Sequence, residues 1–173
     1  MNAQIRLLGT VAGLIISSTP SFASDATSFR YQEIVTAFNT MVAGRTLESD
    51  DGSEINYTRG MRQSQDNYLV SYSHSFPSGR STNGIETVWT DGRAVLVDQV
   101  IDGVIARRYV ASLEGPYNVL RIRPEYPEDS GFISRDCVRK NDQEGTVCYV
   151  KVRYMSDVIV TVYRETDKSR LSN

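Results

Sequence analysis

His74 is the only histidine in the 173-residue chain, and Cys137 and Cys148 are its only cysteines. Those three residues bound the chemistry. A Ser-His-acid hydrolase would have to use His74, which lies in Tyr72-Ser73-His74-Ser75-Phe76. That stretch alternates like a strand whose polar members face water, and no Gly-x-Ser-x-Gly elbow supplies a nucleophile. Zinc draws on His and Cys, so no metal site is expected. Asp50-Asp51-Gly52-Ser53-Glu54 has the acids of a calcium loop without its alternating ligands and closing Glu; it reads as an acidic hairpin turn. No Gly-rich phosphate loop follows a strand and opens a helix, so no nucleotide cofactor is expected either. Paired carboxylates acting on a glycosidic bond stay open, because the sequence does not say which of 21 acids share a cleft. The chain is therefore expected to have no catalytic residue, no cofactor and no metal.

The cysteines have a structural reading. They flank Lys140-Asn141-Asp142-Gln143-Glu144-Gly145, a turn-rich segment between two β-like runs. Pairing those runs around Asp142 and Gln143 sets residue 137 opposite residue 148, where a cross-strand disulfide can form. A redox-active pair is the weaker reading, since no Cys-x-x-Cys motif lowers a thiol pKa.

Recognition is the remaining chemistry. Arg outnumbers Lys 16 to 3, and ten Tyr and one Trp accompany it. Guanidinium forks suit carboxylate, phosphate and protein interfaces, and Arg, Tyr and Trp dominate interface hot spots. Arg107, Arg108, Tyr109, Arg121, Arg123 and Trp89 form the candidate partner-binding surface. The formal net charge of -2 argues against nucleic acid as the partner.

The N-terminus reads as a secretory signal peptide. Arg6 supplies a positive start, Leu7 to Ile16 an apolar run too short to span a bilayer, and Ser21-Phe22-Ala23 the small residues of a cleavage site. Cleavage is expected after Ala23, leaving residues 24–173 as one β-rich extracytoplasmic domain, periplasmic or secreted. No later apolar run is long enough for a transmembrane helix.

One helix and many strands must position these groups. Between Phe29 and Ala43, Tyr31, Ile34, Val35, Phe38, Met41 and Val42 recur at three- and four-residue spacing, with Thr27 or Ser28 as cap and Gly44 as stop. After Gly44, runs rich in Val, Ile, Tyr and Thr alternate with Asp-Gly, Ser-Gly and Asn-Gly turns. Strands are expected near 45–49, 54–60, 67–76, 85–90, 93–101, 104–112, 117–123, 133–140, 146–154 and 158–164. Their connections are too short for crossover helices, so the sheet should be antiparallel. The plan is α+β but mainly β, with an amphipathic helix on a meander or barrel-like sheet of about 8–10 strands. In the hairpin around Asp102-Gly103, Ile101 should face Val104, and Asp98 should face Arg107 as an ion pair. Val95, Val97, Ile101, Val104, Ala106 and Val110 would form its core face, and Leu96 and Asp98 would lie on a partly wet one. The acidic, proline-rich stretch from Gly115 to Gly131 is a candidate binding loop.

Export, the disulfide and the missing catalytic groups together point to a non-enzymatic module that binds a protein or cell-surface partner. A small-molecule carrier with a lipocalin-like barrel is the alternative; a closed barrel with inward aromatics and an empty interior would favour it, and a filled sandwich core would count against it. A hydrolase using paired carboxylates is the third reading.

Overall fold

The computed structural model describes residues 22–126, 131–139 and 144–166; residues 1–21 of the signal-peptide reading and the turn at Asp142 and Gln143 lie outside them, while Phe22 and Ala23 of the expected cleavage site open the helix. The chain is mainly β, with one helix and an antiparallel barrel. Helix α1 (Phe22–Met41) is followed by β1 (Thr46–Ser49), β2 (Glu54–Tyr57), β3 (Met61–Ser64), β4 (Asn67–Ser75) and β5 (Ser81–Thr90). Then come β6 (Val95–Ile101), β7 (Val104–Glu114), β8 (Val119–Pro124), β9 (Phe132–Arg139), β10 (Thr146–Tyr154) and β11 (Asp157–Glu165). From β4 to β11 each strand pairs with the next, β11 pairs with β1, β1 with β2, and β2 returns to β4. That last pairing closes a ten-stranded barrel. Strand β3 covers the half of β4 that β2 leaves bare, pairing at Leu69, Tyr68 and Asn67.

Because the strands form a meander, alternate turns fall at opposite ends of the barrel. The β1–β2, β4–β5, β6–β7, β8–β9 and β10–β11 connections share one end. The helix occupies the other, where Thr27 donates a hydrogen bond to the Gly92 carbonyl between β5 and β6. Its apolar stripe falls where the spacing requires: Tyr31, Ile34, Val35, Phe38, Met41 and Val42 are all buried, against inward residues such as Leu47, Val70, Val88, Val97 and Leu120. Gly44 ends the helical segment in the left-handed region (φ 70°), as expected, and its amide reaches the Thr58 carbonyl. Beside this junction Glu165 takes hydrogen bonds from Arg45, Arg139 and the Thr146 amide. Burial would raise its pKa, but those donors outweigh burial and hold the carboxyl below the ordinary glutamate range.

Three expectations need correction. The helix starts at Phe22, so Thr27 and Ser28 lie inside it and cap nothing; the run from 22 to 41 contains no Gly or Pro to stop it. Strand β3 was not anticipated, because Met-Arg-Gln-Ser has no apolar alternation and lies wholly exposed. The β6–β7 hairpin does pair Ile101 with Val104, but a bulge beyond them sets Gln99 opposite Arg107 and Asp98 opposite Arg108. One extra β7 residue turns Arg107, Tyr109 and Ala111 inward in place of Ala106 and Val110. Leu96 and Asp98, assigned to a wet face, are buried.

Cys137 and Cys148 are paired residues of β9 and β10, joined by a disulfide with their Cα atoms 4.0 Å apart. Both point into the barrel and are almost wholly buried. Reduction is expected to cost about 2–3 kcal/mol by freeing a short loop in the unfolded chain. That predicts a melting temperature about 5–10 °C lower in reductant, and an unreduced peptide map should contain a single Cys137–Cys148 linked product.

Candidate ligand site inside the barrel

The inward residues change character along the barrel axis. Near the helix they are apolar; beyond it, Glu86 of β5 and Arg135 of β9 project into the middle. Arg135 gives both terminal nitrogens to the Glu86 carboxylate, at 2.7 and 2.8 Å, and also donates to the Tyr57 hydroxyl at 2.8 Å. Its guanidinium lies 5.9 Å from the Phe38 ring centre, so the ion pair rests directly on the helix. Burial opposes the arginine's charge, but Glu86 more than compensates and its pKa is raised. The Nε atom of Arg135 is buried with no hydrogen-bond partner among the described residues.

Above this floor lies a cavity of about 180 Å³. Its walls come from strands all round the barrel. Gln99 donates to the Tyr72 hydroxyl at 2.7 Å and accepts from the Tyr109 hydroxyl at 3.2 Å, bridging β4, β6 and β7. His74 faces the Tyr163 hydroxyl at 3.4 Å and lies against the Phe76 ring, with centroids 4.0 Å apart. Phe132 meets Tyr109 edge-on, and Val150 and Ile122 complete the apolar wall. Close packing shapes one side: a Cβ placed on Gly84 would lie 2.6 Å from the Tyr72 hydroxyl, so only glycine lets that ring lie flat against β5.

The titration states suit binding better than proton transfer. Burial lowers the His74 pKa, against a weaker opposing pull from Asp51, which keeps the ring neutral at pH 7. Burial raises Tyr57, Tyr72, Tyr109 and Tyr163, so their hydroxyls stay protonated. Glu86 is the one carboxylate in the described lining, and Arg135 holds both its oxygens.

The six surface candidates are divided by the barrel wall. Arg107 and Tyr109 line the cavity. Trp89, Arg108, Arg121 and Arg123 are on the outside, already engaged. Asp98 accepts Arg108 at 2.6 and 3.0 Å and the Trp89 indole N–H at 3.0 Å, and the Arg108 guanidinium stacks 5.0 Å from the indole centre. Arg121 grips Asp136 at 2.7 and 3.2 Å and also pairs with Glu114, which Arg123 shares. Lys151 closes the row on Asp136 at 3.2 Å. Asp98 and Asp136 are buried beneath these cations, whereas the Arg123–Glu114 pair is open to solvent and adds well under about 1 kcal/mol.

Sequence reasoning missed Glu86, Arg135, Tyr57, Tyr72 and Gln99. A signal existed for one of them: a disulfide between paired strands points to one face, and Arg135 lies two residues before Cys137 on that face. Of the stretch from Gly115 to Gly131, β8 contributes Ile122 to the cavity wall, and no other described residue of it lines the cavity.

Comparison with protein-family models, with curated proteins and with solved structures finds no match to this chain.

Proposed function

We propose that the protein is an exported, non-enzymatic binding protein that takes a small ligand into the end of its barrel opposite the helix. The observation that carries this reading is the cavity above the Glu86–Arg135 pair. It is concave, walled by aromatic rings and supplied with a few fixed polar groups, the ordinary make-up of a small-molecule site. At about 180 Å³ it is smaller than most such sites and suits one compact group rather than a whole cofactor. The disulfide supports an oxidising compartment.

Two other readings lose ground to it. A partner surface over Arg108, Arg121, Arg123 and Trp89 would first have to break the ion pairs those side chains already make. Hydrolysis by paired carboxylates needs a second acid near Glu86, and the described lining holds none.

Filling the cavity tests the proposal. Val150→Phe places a ring in the mouth while keeping an apolar residue on β10. Protein recovered from its exporting cell, held under native mass-spectrometry conditions, should carry a small-molecule adduct that V150F lacks. Far-UV circular dichroism should be the same for both. Equal adducts on the two proteins, or none on either, would overturn the reading.

A further inference from the structure

The inward row of β10 and β11 does not stop at the cavity. Val150 lines it; Val152 and Ile159, paired across the two strands, continue the same face past the barrel rim, and both are exposed. Tyr154 extends the row, and Met155 caps the hairpin, 81% exposed. Met155 sits in the left-handed backbone region (φ 54°), where glycine or asparagine is the ordinary occupant. An apolar side chain at this solvent-facing turn buries little surface within the fold.

The same end carries further apolar residues. Val104, next to the β6–β7 turn, is 67% exposed and lies on the cavity-facing side of its strand. Phe76, after β4, is partly exposed and stacks on His74. Together these side chains place an apolar collar around the mouth; Ile105, Val158 and Val160, on the outward faces of the same hairpins, are exposed as well. Exposed patches of this kind mark contact sites.

Among the described residues that line the cavity, positive charge is in excess. Glu86 neutralises Arg135, while Arg107, at the mouth, pairs with no carboxylate among the described residues. Its neighbour in the cavity is the Tyr109 hydroxyl. Among the described residues, Arg107 is thus the guanidinium of the cavity without a carboxylate partner, close to the aliphatic and aromatic side chains of the rim.

We propose that the ligand is a monoanionic amphiphile, a long-chain carboxylate or its equivalent, with its acidic head at Arg107 and its chain against the collar. This rests on the barrel cavity being the binding site. Polar head and apolar chain each meet a matching surface, in the order in which the molecule would enter head first. A guanidinium binds a carboxylate through two parallel N–H bonds, and burying each methylene is worth about a fourfold gain in affinity. A short acid would forfeit the collar, and a long alcohol would forfeit Arg107.

Delipidated protein titrated calorimetrically with dodecanoate, dodecanol and propionate separates these contributions. Dodecanoate should bind at least about tenfold more tightly than dodecanol, and propionate should give no detectable heat. Arg107→Gln should weaken dodecanoate about tenfold and leave dodecanol unchanged; Ile159→Ser should weaken both long-chain ligands. If dodecanol matches dodecanoate, or R107Q binds dodecanoate normally, the anionic head is wrong while the cavity reading stands. Binding by propionate equal to dodecanoate would remove the collar from the site. Heat from none of the three, with the V150F-sensitive adduct still present, overturns the amphiphile alone; with that adduct also absent, the cavity reading falls too.

Discussion

Glu86→Gln is expected to lower the unfolding free energy by about 3–5 kcal/mol, the usual cost of removing one partner from a buried ion pair. Glu86 is almost wholly buried and the Arg135 side chain nearly so, at 6% and 12% exposure. The carboxylate takes both terminal nitrogens of Arg135, and in its absence Tyr57 and the face of Phe38 are the guanidinium's remaining contacts. Arginine keeps its proton at any working pH, so the charge is stranded rather than shed. For a domain of this size that loss lowers the melting temperature by about 10 °C or more. The double change Glu86→Leu with Arg135→Met should recover most of it, because a buried pair replaced by apolar groups leaves no unpaired charge. Chemical denaturation of the two proteins checks both halves. A loss under about 1 kcal/mol in E86Q would mean that water reaches the pair and screens it.

Phe38→Ala should be comparably severe, at about 3–5 kcal/mol, for a different reason. Phe38 is fully buried at the centre of the helix stripe and supports the Arg135 guanidinium from below. Removing the ring takes away apolar burial and leaves a cavity under the charged floor. Among the described residues the helix is the apolar plug on that end of the barrel, so no other described element can move in to fill the space. Phe38→Leu should cost less, about 1–2 kcal/mol, since most of the volume is kept. Urea midpoints at unchanged m-value measure this cleanly. Since Phe38 and Arg135 touch, the losses in F38A and in a variant of the ion pair should not add. Additive losses would show that the ring and the guanidinium act independently.

The two variants also separate what the barrel's halves do. Phe38 belongs to the apolar half that holds the helix, whereas Glu86 and Arg135 form the partition below the cavity. Damage to the plug acts on stability first. Damage to the partition reaches both stability and the floor of the proposed binding site.

Much of the fold was legible because its signals are local. The helix stripe is a period of three and four, each long strand is an alternating run between turn residues, and the Cys137–Cys148 register follows from symmetry about one turn. Short connections exclude crossover helices and therefore require an antiparallel sheet. Signals failed where the deciding contact was remote. Strand β3 has no apolar pattern and exists because part of β4 lacks another partner. The β6–β7 bulge shifts by one residue which β7 side chains face inward, and no feature of Val104-Ile105-Ala106-Arg107 announces it.

The candidate site lies almost entirely in that second category. The sequence by itself determined the residue types: one histidine, two cysteines, an arginine-rich composition and ten tyrosines. It could not say which charges face in. In a flat antiparallel sheet Glu86 and Arg135 would read as solvated strand residues, and only closure of the barrel through β2 and β4 brings β5 and β9 within hydrogen-bond reach across its interior. Tertiary structure decided the floor, the cavity and the placement of Arg107, because strand alternation assigns a side chain to one of two faces and only the closed sheet decides which face is inside.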